Sequence, residues 1–269
     1  MSPTPAMTLA RAAVLAGLAL SSAQLSTAGP VLDRVKAARV VQVCIWPDYY
    51  GISFRNPRNQ KLEGIDIELS SGFASDFGVR LQYVESSFSA LIADISADRC
   101  DVAMFAVGVT APRQQALSFS QPYLQSDIYG MTTRGSRSIR TWEDIDKPGI
   151  RVAVQVGTFM EPVMAAALKQ ATMVVIRPPQ TRERELESGR VDVFMTDYPY
   201  SRRLLESADW VRLVAPPKPF NILPYAYAVK PGDAEWLAQV DQFVARIKAD
   251  GRLDKAARRY GLSDIVVGK

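Results

Sequence analysis

Histidine is missing altogether from the 269 residues, and cysteine occurs only at Cys44 and Cys100. The first absence excludes serine–histidine triads, imidazole acid–base chemistry and ordinary histidine zinc sites. Dense Lys/Arg tracts interleaved with aromatics are also lacking, and the net charge of +4 is spread along the chain. The basic residues therefore read as a solvated surface, and no nucleic-acid partner is expected. The one apolar run of any length, residues 12–20, falls far short of the ~20 residues a membrane-spanning helix needs. Internal repeats and low-complexity linkers are absent too, so any lobes are joined by short connections. No metal or cofactor motif occurs, and no cofactor is expected.

What remains is the profile of a soluble globular chain, 48% apolar and 22% charged, with room for one large domain or two ordinary ones. Residues 1–28 hold no acidic residue and one arginine, Arg11, followed by the apolar run and then small residues. Both Ser21-Ser22-Ala23 and Ser26-Thr27-Ala28 fit a small-x-small cleavage site, so residues 1–28 are expected to be a signal peptide directing export to the periplasm. In an exported protein an even, low cysteine count suggests one bridge. Each cysteine lies in a strand-like run, so a Cys44–Cys100 disulfide is expected if those strands are neighbours; two buried thiols are the alternative.

Strand and helix patterns alternate, which predicts an α/β architecture with largely parallel sheets. Residues 39–45 form a β-branched run. Ile65, Leu69, Phe73 and Phe77 recur at helical spacing after Gly64. Residues 81–84 alternate as a strand, and Phe88, Leu91, Ile92 and Ile95 share one helical face before a buried strand at 101–105. A second set follows, with strands expected at 151–154, 173–176 and 191–195 and helices at 159–169 and 181–188. Two helices, 234–250 and 252–260, end the chain, and residues 128–133 and 225–230 are candidates for paired hinge strands.

Several segments carry a family resemblance. Leu62-Glu63-Gly64-Ile65-Asp66-Ile67-Glu68-Leu69 is similar to a G-F-D-V-D-L start of helix. Asp101-Val102, Thr110-Ala111-Pro112-Arg113 and Phe119-Ser120-Gln121-Pro122-Tyr123 follow in the order D-V, T-x-x-R, F-S-x-P-Y. Gly157-Thr158, Asp192-Val193 with Thr196-Asp197, and Asp250-Gly251-Arg252-Leu253 complete the series. Over roughly residues 38–263 the chain thus resembles the polar-amino-acid class of periplasmic solute-binding proteins. That resemblance implies a type II periplasmic-binding-protein fold: two α/β lobes joined by two hinge strands, closing on a ligand in the cleft. Lobe 1 is expected to hold residues 29–130 and 227–269, and lobe 2 residues 131–226. The implied role is a monomeric receptor that hands an amino acid or similar carboxylate to an inner-membrane ABC permease.

The resemblance assigns Arg113 to the ligand carboxylate, a role suited to a planar guanidinium fork. The competing reading makes Arg113 a surface residue in the first turn of a helix capped by Thr110. Asp197 is expected to face a ligand ammonium, or else to cap the helix that follows it. Gly157 and Thr158 open a helix and offer N–H groups and a hydroxyl to an anion. Trp46, Tyr49, Tyr50 and Phe88 are candidate stacking aromatics, Phe88 otherwise belonging to the core. Gly108 stands where amino-acid receptors commonly carry Ser or Thr, Gln155 where some carry Lys, and Trp46-Pro47-Asp48-Tyr49-Tyr50-Gly51 is bulky for the family. These departures weaken the case for a standard amino acid and leave a different carboxylate open.

Two further resemblances give alternatives. Residues 141–149 and 191–197 are similar to periplasmic cyclohexadienyl dehydratase, an enzyme on the same scaffold, in which case Glu161 would be the general acid. An ordinary first-turn glutamate stabilised by the helix dipole is the other reading of Glu161. The two cysteine contexts resemble binding-protein homologues that accompany quinoprotein alcohol dehydrogenases, although Arg113 departs from that pattern.

Overall fold

A computed structural model describes Met1 and residues 29–268. The expected signal peptide, residues 1–28, lies outside the described residues apart from Met1. The described chain opens with helix α1 (Pro30–Ala38), which has a proline in its first turn, where the missing N–H costs nothing. Then come β1 (Val40–Ile45), short strands β2 (Asp48–Tyr49), β3 (Ser53–Arg55) and β4 (Leu62–Glu63), α2 (Ile65–Asp76), β5 (Arg80–Glu85) and α3 (Leu91–Ser96). Strand β6 (Val102–Gly108), the short α4 (Ala111–Gln114), β7 (Ser118–Phe119) and β8 (Leu124–Ser126) follow.

The second half holds β9 (Ile128–Thr133), β10 (Arg151–Gln155), α5 (Met160–Ala167), β11 (Thr172–Ile176), α6 (Arg182–Glu187), β12 (Val193–Asp197), α7 (Tyr198–Ser207) and β13 (Val211–Val214). Strand β14 (Leu223–Val229), α8 (Ala234–Ala249) and α9 (Arg252–Arg259) close it. Among the described residues no helix is long and apolar enough to cross a membrane.

Two mixed sheets organise these elements. The first runs β5-β1-β6-β14-β7, with β8 also on β14, and the second β11-β10-β12-β9-β13. Their centres are parallel, β5-β1-β6 and β11-β10-β12, while β14, β9 and β13 add antiparallel pairings. The central strand β6 is buried at every position, as a strand covered on both faces requires. Strands β2, β3 and β4 make a small third sheet.

The two strands expected to pair at the hinge do not pair with each other; β9 belongs to the second sheet and β14 to the first. The chain crosses outward at Asp127, between β8 and β9, and returns through residues 215–222. That return contains Pro216, Pro217 and Pro219, which lack an N–H and cannot extend a ladder. Both crossings are tied to one carboxylate. Asp127 accepts the N–H of Ile128 at 2.7 Å and of Asn221 at 2.6 Å on Oδ1, and that of Phe220 at 2.8 Å on Oδ2.

The expected disulfide is present, joining Cys44 on β1 to Cys100 just ahead of β6, with Cα atoms 5.6 Å apart. Closing a loop of 56 residues stabilises by about 4 kcal/mol in the chain-entropy model. Asp66 is fully buried at the start of α2 and accepts from Tyr123 Oη at 2.5 Å, Ala106 N at 2.9 Å and Tyr227 Oη at 3.1 Å. Ala106 has φ 49°, a left-handed conformation that a non-glycine residue holds only with support, and the Asp66 bond to its N–H supplies that support.

Two outcomes follow. The Cys44→Ser/Cys100→Ser double variant is expected to melt roughly 8–16 °C below the parent, measured calorimetrically. Burial raises the Asp66 carboxyl to about 7, overcoming its three hydrogen bonds, whereas in the unfolded chain it titrates near 4. The fold thus holds a proton that the unfolded chain has released, so stability falls as pH rises between those values. Melting temperatures of the parent relative to Asp66→Asn should decline from pH 4 to pH 7 and level off above; a flat difference contradicts this.

Candidate functional site

The carboxyl ends of β1 and β6 in the first sheet, and of β10 and β12 in the second, face each other across a cleft. This is where α/β sheets place ligands, because strand ends leave a crevice between loops. Trp46, Tyr49, Phe88, Thr158, Arg182 and Asp197 are among the residues lining a cavity there of about 20 Å³. That is room for about one water. A second cavity, of about 370 Å³, adjoins it and shares Trp46, Arg182 and Tyr200 with the first. The lobes therefore stand closed on one another, with a narrow interior behind a wider mouth.

Arg113 sits in α4, whose first turn Thr110 caps by accepting the Arg113 N–H at 3.4 Å. The cap exists, yet Arg113 is not a surface residue: it is only 6% exposed. Its Nη1 donates to Gly108 O at 3.0 Å, and its Nη2 donates across the cleft to Gly157 O at 3.0 Å. The guanidinium carbon lies 5.0 Å from the centre of the Phe88 ring. Among the described residues no carboxylate forms an ion pair with it. Burial without a counter-charge lowers its pKa to about 10, so it remains a cation at neutral pH.

Of the two carbonyls that hold Arg113, the one at Gly157 requires glycine and the one at Gly108 lies in a crowded spot. A Cβ on Gly108 would fall 2.6 Å from Leu223 Cδ2 and 3.4 Å from Arg113 Nη1. At Gly157 the backbone has φ +75°, and a Cβ would lie 2.5 Å from the Ser89 backbone nitrogen of the opposite lobe. Gly157 thus lies where the backbones of the two lobes approach closely. The donors expected here for an anion are already in use. Gly157 N donates to Glu161 Oε2 at 2.8 Å, and Thr158 Oγ1 donates to Gln155 O at 2.8 Å. Glu161 is thereby drawn back onto the start of its own helix, and it does not line the cavity.

Asp197 is the helix cap that one of its two readings expects, and it also borders the cavity. Its Oδ1 caps α7 by accepting Tyr200 N at 3.2 Å, while the residue borders the cavity and is 2% exposed. Its Oδ2 accepts the hydroxyl of Tyr225 at 2.7 Å and that of Tyr49 as well. Burial raises its pKa, against the lowering effect of these bonds. Both tyrosines belong to first-lobe elements, so the carboxylate links the lobes as Arg113 does.

The aromatic candidates divide. Trp46, Tyr49 and Phe88 form a triangle with ring centres 5.2–5.7 Å apart. Phe88 precedes α3 and turns toward the cleft rather than joining the Leu91–Ile95 face, because the helix begins three residues later than its spacing suggests. Tyr50 does not reach the inner cavity; it stacks on Phe54 at 4.2 Å, meets Tyr200 at 4.9 Å and lines the outer mouth.

Arg182 is a site residue that sequence reasoning passed over. It is 4% exposed, donates to Met195 O at 2.8 Å, and lies 4.4 Å over the Tyr200 ring and 5.2 Å over that of Phe194. Within Thr181-Arg182-Glu183-Arg184-Glu185 nothing sets it apart from its charged neighbours. Only its position as the first residue of α6, beside β12, turns it inward.

Residues 41–263 match the bacterial extracellular solute-binding proteins, family 3. Cyclohexadienyl dehydratase of Pseudomonas aeruginosa is 30% identical over 87% of either chain. The L-cystine-binding protein TcyJ of Escherichia coli is 23% identical, again over 87% of each. A crystal structure of the ancestral amino acid-binding protein AncCDT-1, a precursor of cyclohexadienyl dehydratase, superposes with a TM-score of 0.78 at 27% identity, covering 85% of this chain and 98% of that one. Fold, cleft and sequence agree, and the chain belongs to family 3 of the bacterial extracellular solute-binding proteins.

Proposed function

We propose that this protein is the periplasmic solute-binding component of an ABC importer and that it closes its two lobes on a small carboxylate-bearing solute, an amino acid or a similar acid. The observation that carries this reading is Arg113: a buried cation at the cleft, whose guanidinium among the described residues meets two carbonyls and a ring. Burying a guanidinium without an opposing charge is unfavourable, and a ligand carboxylate supplies that charge with two parallel hydrogen bonds. The names of the L-cystine-binding and ancestral amino acid-binding relatives support an amino acid or a close analogue as the solute.

Opening would withdraw Gly157 O from Arg113 and free the Asp197 carboxylate from two hydroxyls, giving a solute both walls of the cleft. Closure would then replace the Arg113–carbonyl contact with Arg113–carboxylate, which adds an opposite charge and a second parallel hydrogen bond. A ligand that binds only the closed form shifts the equilibrium by its differential affinity.

The dehydratase reading draws support from one specific observation, the 30% identity with cyclohexadienyl dehydratase across nearly the whole chain. It requires Glu161 to leave Gly157 N and enter the cleft to serve as an acid.

A thermal-shift panel on ligand-stripped protein tests the proposal, using the amino acids, small dicarboxylates and prephenate. A solute at a hundredfold over its dissociation constant stabilises by about 2.7 kcal/mol, which raises Tm by roughly 5–10 °C. The expected result is a shift that Arg113→Ala abolishes. Turnover of prephenate, lost in Glu161→Gln, would put the enzyme reading first, and a panel without any shift would overturn the receptor.

A further inference from the structure

Both walls of the cleft carry a buried arginine. Arg113 approaches from the first sheet's side and Arg182 from the second's, and among the described residues neither forms an ion pair with a carboxylate. Arg182 donates a hydrogen bond to the Met195 carbonyl at 2.8 Å, and the residue borders both the inner cavity and the mouth. Its cation is steadied on the faces of Tyr200 and Phe194, a placement that fixes the fork without neutralising it.

The single acidic group on the inner cavity, Asp197, is spoken for. Three donors converge on it, the Tyr200 N–H and the Tyr49 and Tyr225 hydroxyls. Three of the roughly four acceptor sites of this carboxylate are thus filled, so an ammonium entering the cleft meets a largely engaged group. The other carboxylates nearby face elsewhere: Glu183 accepts the Tyr200 hydroxyl at 2.5 Å and lines the mouth with Asp48, and Glu161 caps α5. The inner cavity is thus lined by one cation, Arg182, one engaged anion and aromatic rings, and the second cation, Arg113, lies against one of those rings, Phe88.

Resting on the receptor reading above, we infer that Arg182 is a second anion-recognition residue and that the solute is a dicarboxylic acid without a free α-ammonium group. One carboxylate meets Arg113, the other meets Arg182 at the boundary between cavity and mouth, and the apolar body lies against Trp46, Tyr49 and Phe88. Tyr49 and Tyr225 act as the selectivity device, since their hydroxyls occupy the acceptor that an amino acid would need.

Isothermal titration of ligand-stripped protein tests this with three probes in each of two sizes: glutarate, butanoate and L-glutamate, and phenylsuccinate, 3-phenylpropanoate and L-phenylalanine. The diacid of at least one set should bind about tenfold or more tighter than the monoacid and the amino acid, the scale of one charge-assisted hydrogen bond. Arg182→Gln should erase the diacid's advantage and leave the monoacid unchanged, with Arg182→Lys restoring part of it. As a second readout independent of that substitution, Tyr49→Phe/Tyr225→Phe should shift preference toward the amino acid. An amino acid bound more tightly than either diacid, with affinity lost in Arg113→Ala but not in Arg182→Gln, overturns the inference and leaves the receptor reading standing. Absence of binding by these probes and by every amino acid removes both.

Discussion

The Arg113 guanidinium, buried and shared between Gly108 O on one lobe and Gly157 O on the other, is the contact on which the site depends. A cation in that position forces its surroundings. Its two carbonyl acceptors must come close, so both belong to glycines whose Cβ atoms would collide with Leu223 or with the backbone at Ser89. Its charge must be spread or answered, and the Phe88 face 5.0 Å away spreads part of it. Phe88 in turn is held by Trp46, Tyr49 and Phe105.

Behind that contact stand carboxylates that shape backbone. Asp66 fixes the left-handed turn at Ala106, one of the residues lining the cavity. Asp127 gathers three N–H groups from both crossings between the lobes, so the two hinge segments form one joint. Asp197 caps α7 and receives two tyrosine hydroxyls from across the cleft. A joint tied at one point, together with polar contacts across the cleft, favours lobes that move as rigid bodies, since each keeps its own sheet.

Much of this was legible in the chain. The alternation of patterns revealed two α/β units, and the T-x-x-R and Gly-Thr segments named Arg113 and Gly157. Short strands without periodicity were not legible: β2, β3 and β4 have two or three residues each, below the length at which alternation registers. Pairing across the hinge was misjudged because sequence order says nothing about which sheet a strand joins; β9 and β14 proved to lie in different sheets. Partners in the cleft are invisible for a related reason. Tyr225 lies 28 residues from Asp197 and Tyr49 lies 148 away, and only closure of the lobes makes them neighbours. Arg182 was hidden among five charged residues in a run of six, where composition predicts a solvated helix.

On the proposed reading, the chemistry is recognition by charge within an aromatic enclosure. Low polarizability of the surroundings would strengthen each charged contact relative to water, and the rings would pack against the solute's body. The central claim is that the Arg113 fork exchanges the Gly157 carbonyl for a solute carboxylate. A crystal structure with bound solute measures this directly. The account predicts a solute carboxylate within about 3 Å of both Arg113 Nη atoms, with Gly157 O no longer their acceptor. A solute bound elsewhere, with Arg113 still donating to Gly157 O, would contradict it.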